Sequence, residues 1–155
     1  MRKKEREIKE IGELEDVISR SDVCRIAFAD NNFPYMVTMN FGYIPGINRR
    51  LYFHCASEGR KIDLIKKNNL VCFEMDTDHM ILQGPRPCDF SMKYSSIVGW
   101  GRVTIIDSGN EKKEGLDSIM QHFSQEKTFT YSEEILRKTT VLRLDILEMT
   151  GKRIH

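Results

Sequence analysis

The run Leu51-Tyr52-Phe53-His54-Cys55-Ala56-Ser57-Glu58-Gly59-Arg60-Lys61 passes from a strand-like pattern into the start of a helical one, with small residues at the junction. The first turn of a helix leaves backbone N–H groups unpaired and carries partial positive charge, so an anion such as a phosphate finds donors there. In this reading Ser57 caps the helix, Gly59 lets a ligand approach the backbone, and Arg60 and Lys61 add two cations. The alternative is a capped helix bearing two solvated charges. The sign of those charges favours the anion, because cations in a first turn oppose the helix dipole unless something negative offsets them.

Two further segments carry groups of interest. Pro34 to Tyr43 is rich in aromatic and β-branched residues, and its backbone could line one edge of a planar heterocycle. Tyr94-Ser95-Ser96 place three hydroxyls just before Gly99-Trp100-Gly101, where they could bind phosphate or sit on a half-exposed strand. Cys24, Cys55, Cys72 and Cys88 include no Cys-x-x-Cys pair, and the four histidines are scattered, so no metal site is expected and the cysteines read as small buried hydrophobes.

The elements that must position these groups follow from periodicity. Ile8, Ile11, Leu14, Val17 and Ile18 predict an amphipathic helix within Glu5 to Ser19. Val23 to Ala29, Pro34 to Tyr43 and Arg50 to His54 read as three antiparallel strands in a meander, with turns at Asp30-Asn31-Asn32 and Pro45-Gly46. A helix over Lys61 to Lys67 ends at Asn68-Asn69, and Leu70 to Asp76 returns to strand. Met92 to Ile106 predicts a long strand bent at Gly99 and Gly101. Helices are expected over Glu111 to Phe123, burying Leu116, Ile119, Met120 and Phe123, and over Glu133 to Lys138, before a last strand from Thr140 to Met149. Strands in hairpin order with helices between and outside them predict a mainly β, antiparallel barrel with peripheral helices, one domain over residues 1–155.

With 24 Lys plus Arg against 23 Asp plus Glu, the net charge of +1 drives the chain toward neither nucleic acid nor anionic membrane, so any anion must be caught locally. No run of about 18 apolar residues is present, and the charged start has no apolar stretch behind it. A cytoplasmic address is the expectation.

Together these segments resemble the flavin-binding split-barrel proteins related to pyridoxamine 5′-phosphate oxidase, and most closely the 5-nitroimidazole-resistance (Nim-like) branch. The resemblance covers most of the chain. It rests on Arg2 to Ile8, Pro34 to Tyr43, the His-Cys-Ala-x-x-Gly-Arg-Lys core of Leu51 to Lys61, Val71-Cys72-Phe73-Glu74, and Tyr94 to Gly99. It implies an antiparallel split β-barrel and a homodimer with a flavin, FMN or the longer FAD, at each subunit interface. The isoalloxazine edge would lie along Val37, Thr38 and Met39, and Arg60 and Lys61 would hold the phosphate. Ser57 and Gly59 would shape that pocket, Tyr94, Ser95 and Ser96 would contribute nearby, Cys55 and Ala56 would also contact the cofactor, and His54 would stand beside the ring. His54 would also face the substrate as the catalytic histidine. Thr38 stands where many relatives carry proline, and it keeps a backbone N–H that proline lacks.

The activity implied is transfer of electrons from NAD(P)H through the flavin to a small acceptor such as a nitroaromatic compound. No Gly-x-Gly-x-x-Gly fingerprint occurs, so the nicotinamide would bind only transiently. Storage of flavin without turnover, or haem binding with His54 as axial ligand, are the alternatives.

Overall fold

The computed structural model describes residues 3–154; Arg2, in the opening segment quoted above, and His155 lie outside them. Glu7–Ile8 forms the short strand β1, followed by helix α1 (Ile11–Arg20), β2 (Cys24–Phe28), β3 (Tyr35–Met39), β4 (Gly42–Ile44) and β5 (Arg50–Ala56). Helix α2 (Arg60–Lys67) leads into the long strands β6 (Leu70–Leu82) and β7 (Ser91–Ile106). Helices α3 (Asn110–Phe123) and α4 (Glu133–Lys138) precede β8 (Thr139–Ile154).

All eight strands join one sheet, in the order β3-β2-β6-β7-β8-β5-β4, with β1 on β8 and every pairing antiparallel. The two ends of that path, β3 and β4, are separated in the chain by only Asn40 and Phe41. A sheet whose opposite margins are joined by two residues has to curl. The predicted meander is therefore corrected: Pro34 to Tyr43 is two strands that part company at Asn40-Phe41, the first pairing with β2 and the second with β5.

Alternation builds the core. Cys24, Ile26 and Phe28 of β2 point inward beside Val71, Phe73 and Met75 of β6, and α1 closes one end with Leu14, Val17 and Ile18. Each such side chain contributes roughly 1.5–3 kcal/mol by leaving water. A second cluster, Tyr52, Leu116, Ile119 and Val141, packs α3 on the outside of the sheet. There the α3 backbone comes so close to β4 that a Cβ on Gly42 would stand 2.3 Å from Ser118. Phe41, fully buried, has its ring 4.4 Å from that of His122. The pivot between β3 and β4 is thus clamped by α3.

The glycine bend in β7 holds. The register against β8 shifts between Trp100 and Gly101, and a Cβ at Gly99 would meet the Phe73 ring at 2.3 Å. Other expectations need adjustment. The first helix begins at Ile11 because Ile8 is claimed by β1, where it pairs with Gly151. On α3, Met120 and Phe123 are exposed over a little under half of their surface, while Lys112, Gly115 and Ser118 are buried instead. Of the cysteines, Cys24 is buried, Cys55 and Cys72 are half-buried and Cys88 is exposed. No helix among the described residues is long and apolar enough to cross a membrane.

Candidate functional site

The split in the sheet follows from register. β4 pairs with β5 only through Gly42↔Tyr52, Tyr43↔Leu51 and Ile44↔Arg50. If that register continued, Asn40 would oppose His54 and Thr38 would oppose Ala56. Instead Tyr35–Met39 pairs with β2, so the backbone edge of β3 and that of β5 from Phe53 to Ala56 each lack a strand partner among the described residues. Unpaired strand edges are rows of hydrogen-bonding groups seeking a partner. The divergence of the two edges opens a slot whose narrow end is Phe41.

The opposite end of the slot is the turn after β5. Gly59 has φ +119, a conformation that L side chains rarely adopt, and a Cβ there would meet nothing within 4 Å. Open space therefore lies against its backbone. Gly59, not Ser57, occupies the helix N-cap position, and no side chain caps α2, so the proposed Ser57 cap is corrected. The N–H groups of Ile62 and Asp63 both bond the Gly59 carbonyl, at 2.9 and 3.2 Å.

Arg60 turns back across the slot. Its Nε and Nη2 donate to Asp30 Oδ2 at 3.0 and 2.6 Å, and its guanidinium lies 4.6 Å from the centroid of the Tyr35 ring. Asp30 follows β2 and Tyr35 begins β3, so this contact ties the turn to the far side of the slot. The charge-sign reading is amended accordingly: Asp30 is a carboxylate inside the chain that offsets Arg60, and only Lys61 is left without a carboxylate partner among the described residues. Burial pushes the Cys55 thiol up, against the pull of nearby Lys61. Val37, Thr38 and Met39 lie on the unpaired edge of β3, His54, Cys55 and Ala56 on the unpaired edge of β5, and Ser57, Gly59, Arg60 and Lys61 in the turn that follows β5, with Arg60 as the observed tie between the two sides. His54 and Thr38 are exposed, while Met39 points into the core.

Tyr94, Ser95 and Ser96 are not brought there. Cys55 pairs with Thr140 and Ser95 with Arg153, 13 residues apart on β8, which is roughly 40 Å of strand at about 3.3 Å per residue. Ser95 is buried, with its Oγ accepting from Arg153 Nε at 3.2 Å. Tyr94 and Ser96 lie on the outer face, where the Tyr94 hydroxyl accepts from Lys152 Nζ at 2.5 Å.

The sequence reading missed a charged cluster on that same outer face. Arg25 lies directly opposite Thr38 in the β2–β3 register and opposite Glu74 in the β2–β6 register. Its Nη1 donates to Glu74 Oε2 at 2.9 Å and to Asp76 Oδ1 at 2.5 Å, and His79 Nε2 lies 2.7 Å from Asp76 Oδ2. Burial raises the Glu74 carboxyl, outweighing the Arg25 bond. Charged residues at alternate positions of otherwise apolar strands, as in Cys24-Arg25-Ile26 and Phe73-Glu74-Met75-Asp76, are the signal that could have found it. No group of three or more potential metal ligands occurs among the described residues.

An open, curled antiparallel sheet with an anion-ready helix start at the end of its split is the split-barrel class. The chain belongs to the pyridoxamine 5′-phosphate oxidase family, whose model matches residues 10–153. It is similar to a candidate 5-nitroimidazole antibiotic resistance protein from Bacteroides thetaiotaomicron, at 33% identity and TM-score 0.82, over 95% of this chain and 86% of that one. The flavocytochrome Anf3 from Azotobacter vinelandii (16% identity, TM-score 0.82, 100% and 72% covered) has the same fold. So does the FAD and heme binding protein from Mycobacterium smegmatis (16%, TM-score 0.80, 96% and 73%). No curated protein matches the sequence.

Proposed function

We propose that the chain is a flavin-dependent oxidoreductase that binds FMN in the split and passes electrons from NAD(P)H to a small acceptor of the nitroaromatic kind. The observation that carries this reading is the split itself, two unpaired backbone edges that part at Asn40-Phe41, with Gly59 and Lys61 in the turn at the far end, where Arg60 bridges to Asp30 and Tyr35. Its parts fit the group. A planar heterocycle with donors and acceptors on its rim suits an unpaired strand edge, and a terminal phosphate suits the space beside Gly59, the Lys61 ammonium and the first-turn amides of α2. The flavin, when bound, supplies the electron transfer.

The chain's own residues then have distinct tasks. Lys61 and the α2 amides hold the phosphate, and Arg60, anchored on Asp30 and Tyr35, fixes the turn that carries them. The β3 edge from Val37 to Met39 orients the ring. His54, exposed and with no hydrogen-bond partner among the described residues, is available to carry a proton at either ring nitrogen toward an acceptor.

A homodimer completes the reading. The outer row Met36, Ala27, Cys72 and Trp100, flanked by Pro34 and Leu70, is a partly exposed apolar strip on the outer face of the sheet. Strips of this kind mark interfaces. A second copy would also bring its Tyr94 and Ser96 to a slot that this chain's own hydroxyls cannot reach.

The test is direct. Purified protein should show or take up a two-band yellow flavin spectrum, and NADH or NADPH added without oxygen should bleach it, with a nitroaromatic restoring the colour. A colourless protein that takes up no FMN ends the reading, and a Soret band replaces it with haem. Bound flavin that neither bleaches nor recovers leaves a flavin carrier without turnover.

A further inference from the structure

Strands β6 and β7 run on together past the rest of the sheet. The pairing of β2 with β6 stops at Glu74 and that of β8 with β7 stops at Tyr94, so Met80 to Leu82 and Ser91 to Lys93 pair only with each other among the described residues. The root of this arm is fixed: the register shifts between Thr77 and Met80, Asp78 takes φ +63, Arg20 donates to Asp78, and Thr77 Oγ1 donates to the Arg20 carbonyl at 3.1 Å. The tip is fixed as well, by the Arg86 guanidinium on Asp89 at 2.9 and 3.0 Å. Between root and tip the ribbon stands uncovered, and Met80, Ile81, Phe90 and Met92 are each exposed over between 43% and 63% of their surface. Register puts Met80 on one face of the ribbon and Ile81 with Met92 on the other, so neither face is packed against the body. A two-stranded ribbon standing alone is marginally stable in water, and large apolar side chains gathered on it mark a surface that something else covers.

We propose that this arm clasps a second copy of the chain and is an essential part of the homodimer interface, an inference that rests on the homodimer reading above. Alternation and register place Trp100, Val98, Ser96, Tyr94 and Met92 in one row on the outer face, with Ile81 opposite Met92. The row begins in the apolar strip, passes the two hydroxyl residues that a second copy would lend to the slot, and ends on the arm. A partner that covers the strip and Tyr94 therefore meets the arm next. Area makes the same demand. Met36, Leu70 and Trp100, each about half exposed, offer no more than roughly 400 Å² of the ~800 Å² that a stable dimer covers on each partner. The four exposed side chains of the arm supply a similar further amount. In an isologous pair the same patch meets itself, so each copy grips and is gripped. The charges of Asp78, Arg86, Asp89 and Lys93 cancel, which gives the arm no pull toward an anionic membrane.

The test is sedimentation equilibrium of the full chain beside the double variant Ile81→Lys/Met92→Lys. Both side chains are exposed in a single copy, so the variant should keep its fold while its dimer dissociates at least about 100-fold more readily. Hydrogen exchange gives a second readout: the amides of Met80 to Leu82 and Ser91 to Lys93 should exchange faster when the wild type is diluted to monomer. They should do so too in Trp100→Asp, although that substitution lies roughly 26 Å away along β7. A double variant that dimerises like the wild type, or arm amides indifferent to dimerisation, overturns the clasp and leaves the homodimer standing. A wild type that is monomeric at every concentration overturns both, and FMN uptake by that monomer would separate their failure from that of flavin binding. Sedimentation with phosphatidylcholine or phosphatidylglycerol vesicles that the double variant loses, its dimer unchanged, overturns the clasp in favour of a lipid surface. If the double variant does not fold, the exchange of the wild-type arm on dilution decides alone.

Discussion

Replacing Lys61 with alanine separates a phosphate grip from a solvated surface charge. Lys61 pairs with no carboxylate among the described residues, whereas Arg60 already spends Nε and Nη2 on Asp30. Removing Lys61 should cost the full charge-assisted bond to a bound phosphate, about 1.5–3 kcal/mol, and so weaken FMN roughly 10- to 150-fold. The fold should scarcely notice, since surface changes of this kind stay within about 0.5 kcal/mol. Arg60→Ala should fall at the lower end of that affinity range, with a stability loss of about 1 kcal/mol from the exposed Asp30 pair and the Tyr35 stack. Flavin fluorescence titrations of both variants, with FMN and with riboflavin, provide the measurement. Riboflavin lacks the phosphate and should bind Lys61→Ala as it binds the wild type. Equal losses for the two ligands, or no loss for FMN, would refute the grip.

Three other outcomes can be checked with standard biophysics. Trp100→Asp, placed in the outer apolar strip, should convert a dimer to a monomer in sedimentation or gel filtration, and an unchanged mass assigns the interface elsewhere. Gly99→Ala puts a Cβ 2.3 Å from the Phe73 ring and 2.8 Å from the Glu148 carbonyl; at about 1–3 kcal/mol it should lower Tm by roughly 3–10 °C, and a melt within a degree of wild type would contradict that packing. The hydrogen bond from Arg20 holds the Asp78 carboxyl below its ordinary 3.8, so its stabilisation is complete above that value and fades as pH falls through the depressed folded value. Asp78→Asn should accordingly flatten the decline of Tm in acid, whereas Glu74, raised by burial, contributes stability that is lost as pH rises from 4.5. Parallel wild-type and Asp78→Asn acid profiles would show that the pair carries nothing.

What local pattern could convey, the sequence conveyed. Helix α4 spans Glu133–Lys138 as read, β7 differs by one residue at its start, and α3 by one at its own. These elements advertise themselves through periodicity and composition. Pro34 to Tyr43 does not, since nothing in Thr38-Met39-Asn40-Phe41 announces a change of partner; the switch depends on β2, β5 and α3, all distant in sequence. The same holds for the ends of β6 and β8, extended past Asp76 and Met149 by pairing with β7. At the candidate site, the residues bordering the slot were legible as motifs. The Asp30 counter-charge to Arg60, 30 positions away, and the Arg25–Glu74–Asp76 cluster were not, because side-chain partners across strands are set by register.

The two-residue link at Asn40-Phe41 gives this architecture an unusual dial. The depth of the slot is set by the residue at which one continuous stretch of chain changes allegiance between neighbours, and a strand can change allegiance only in whole pleats. Moving the switch by a dipeptide would deepen or shorten the opening by roughly 6.6 Å, while every inward-facing side chain kept its orientation. Ligand length could therefore be retuned in discrete steps by insertion or deletion at one place, with the interior left intact.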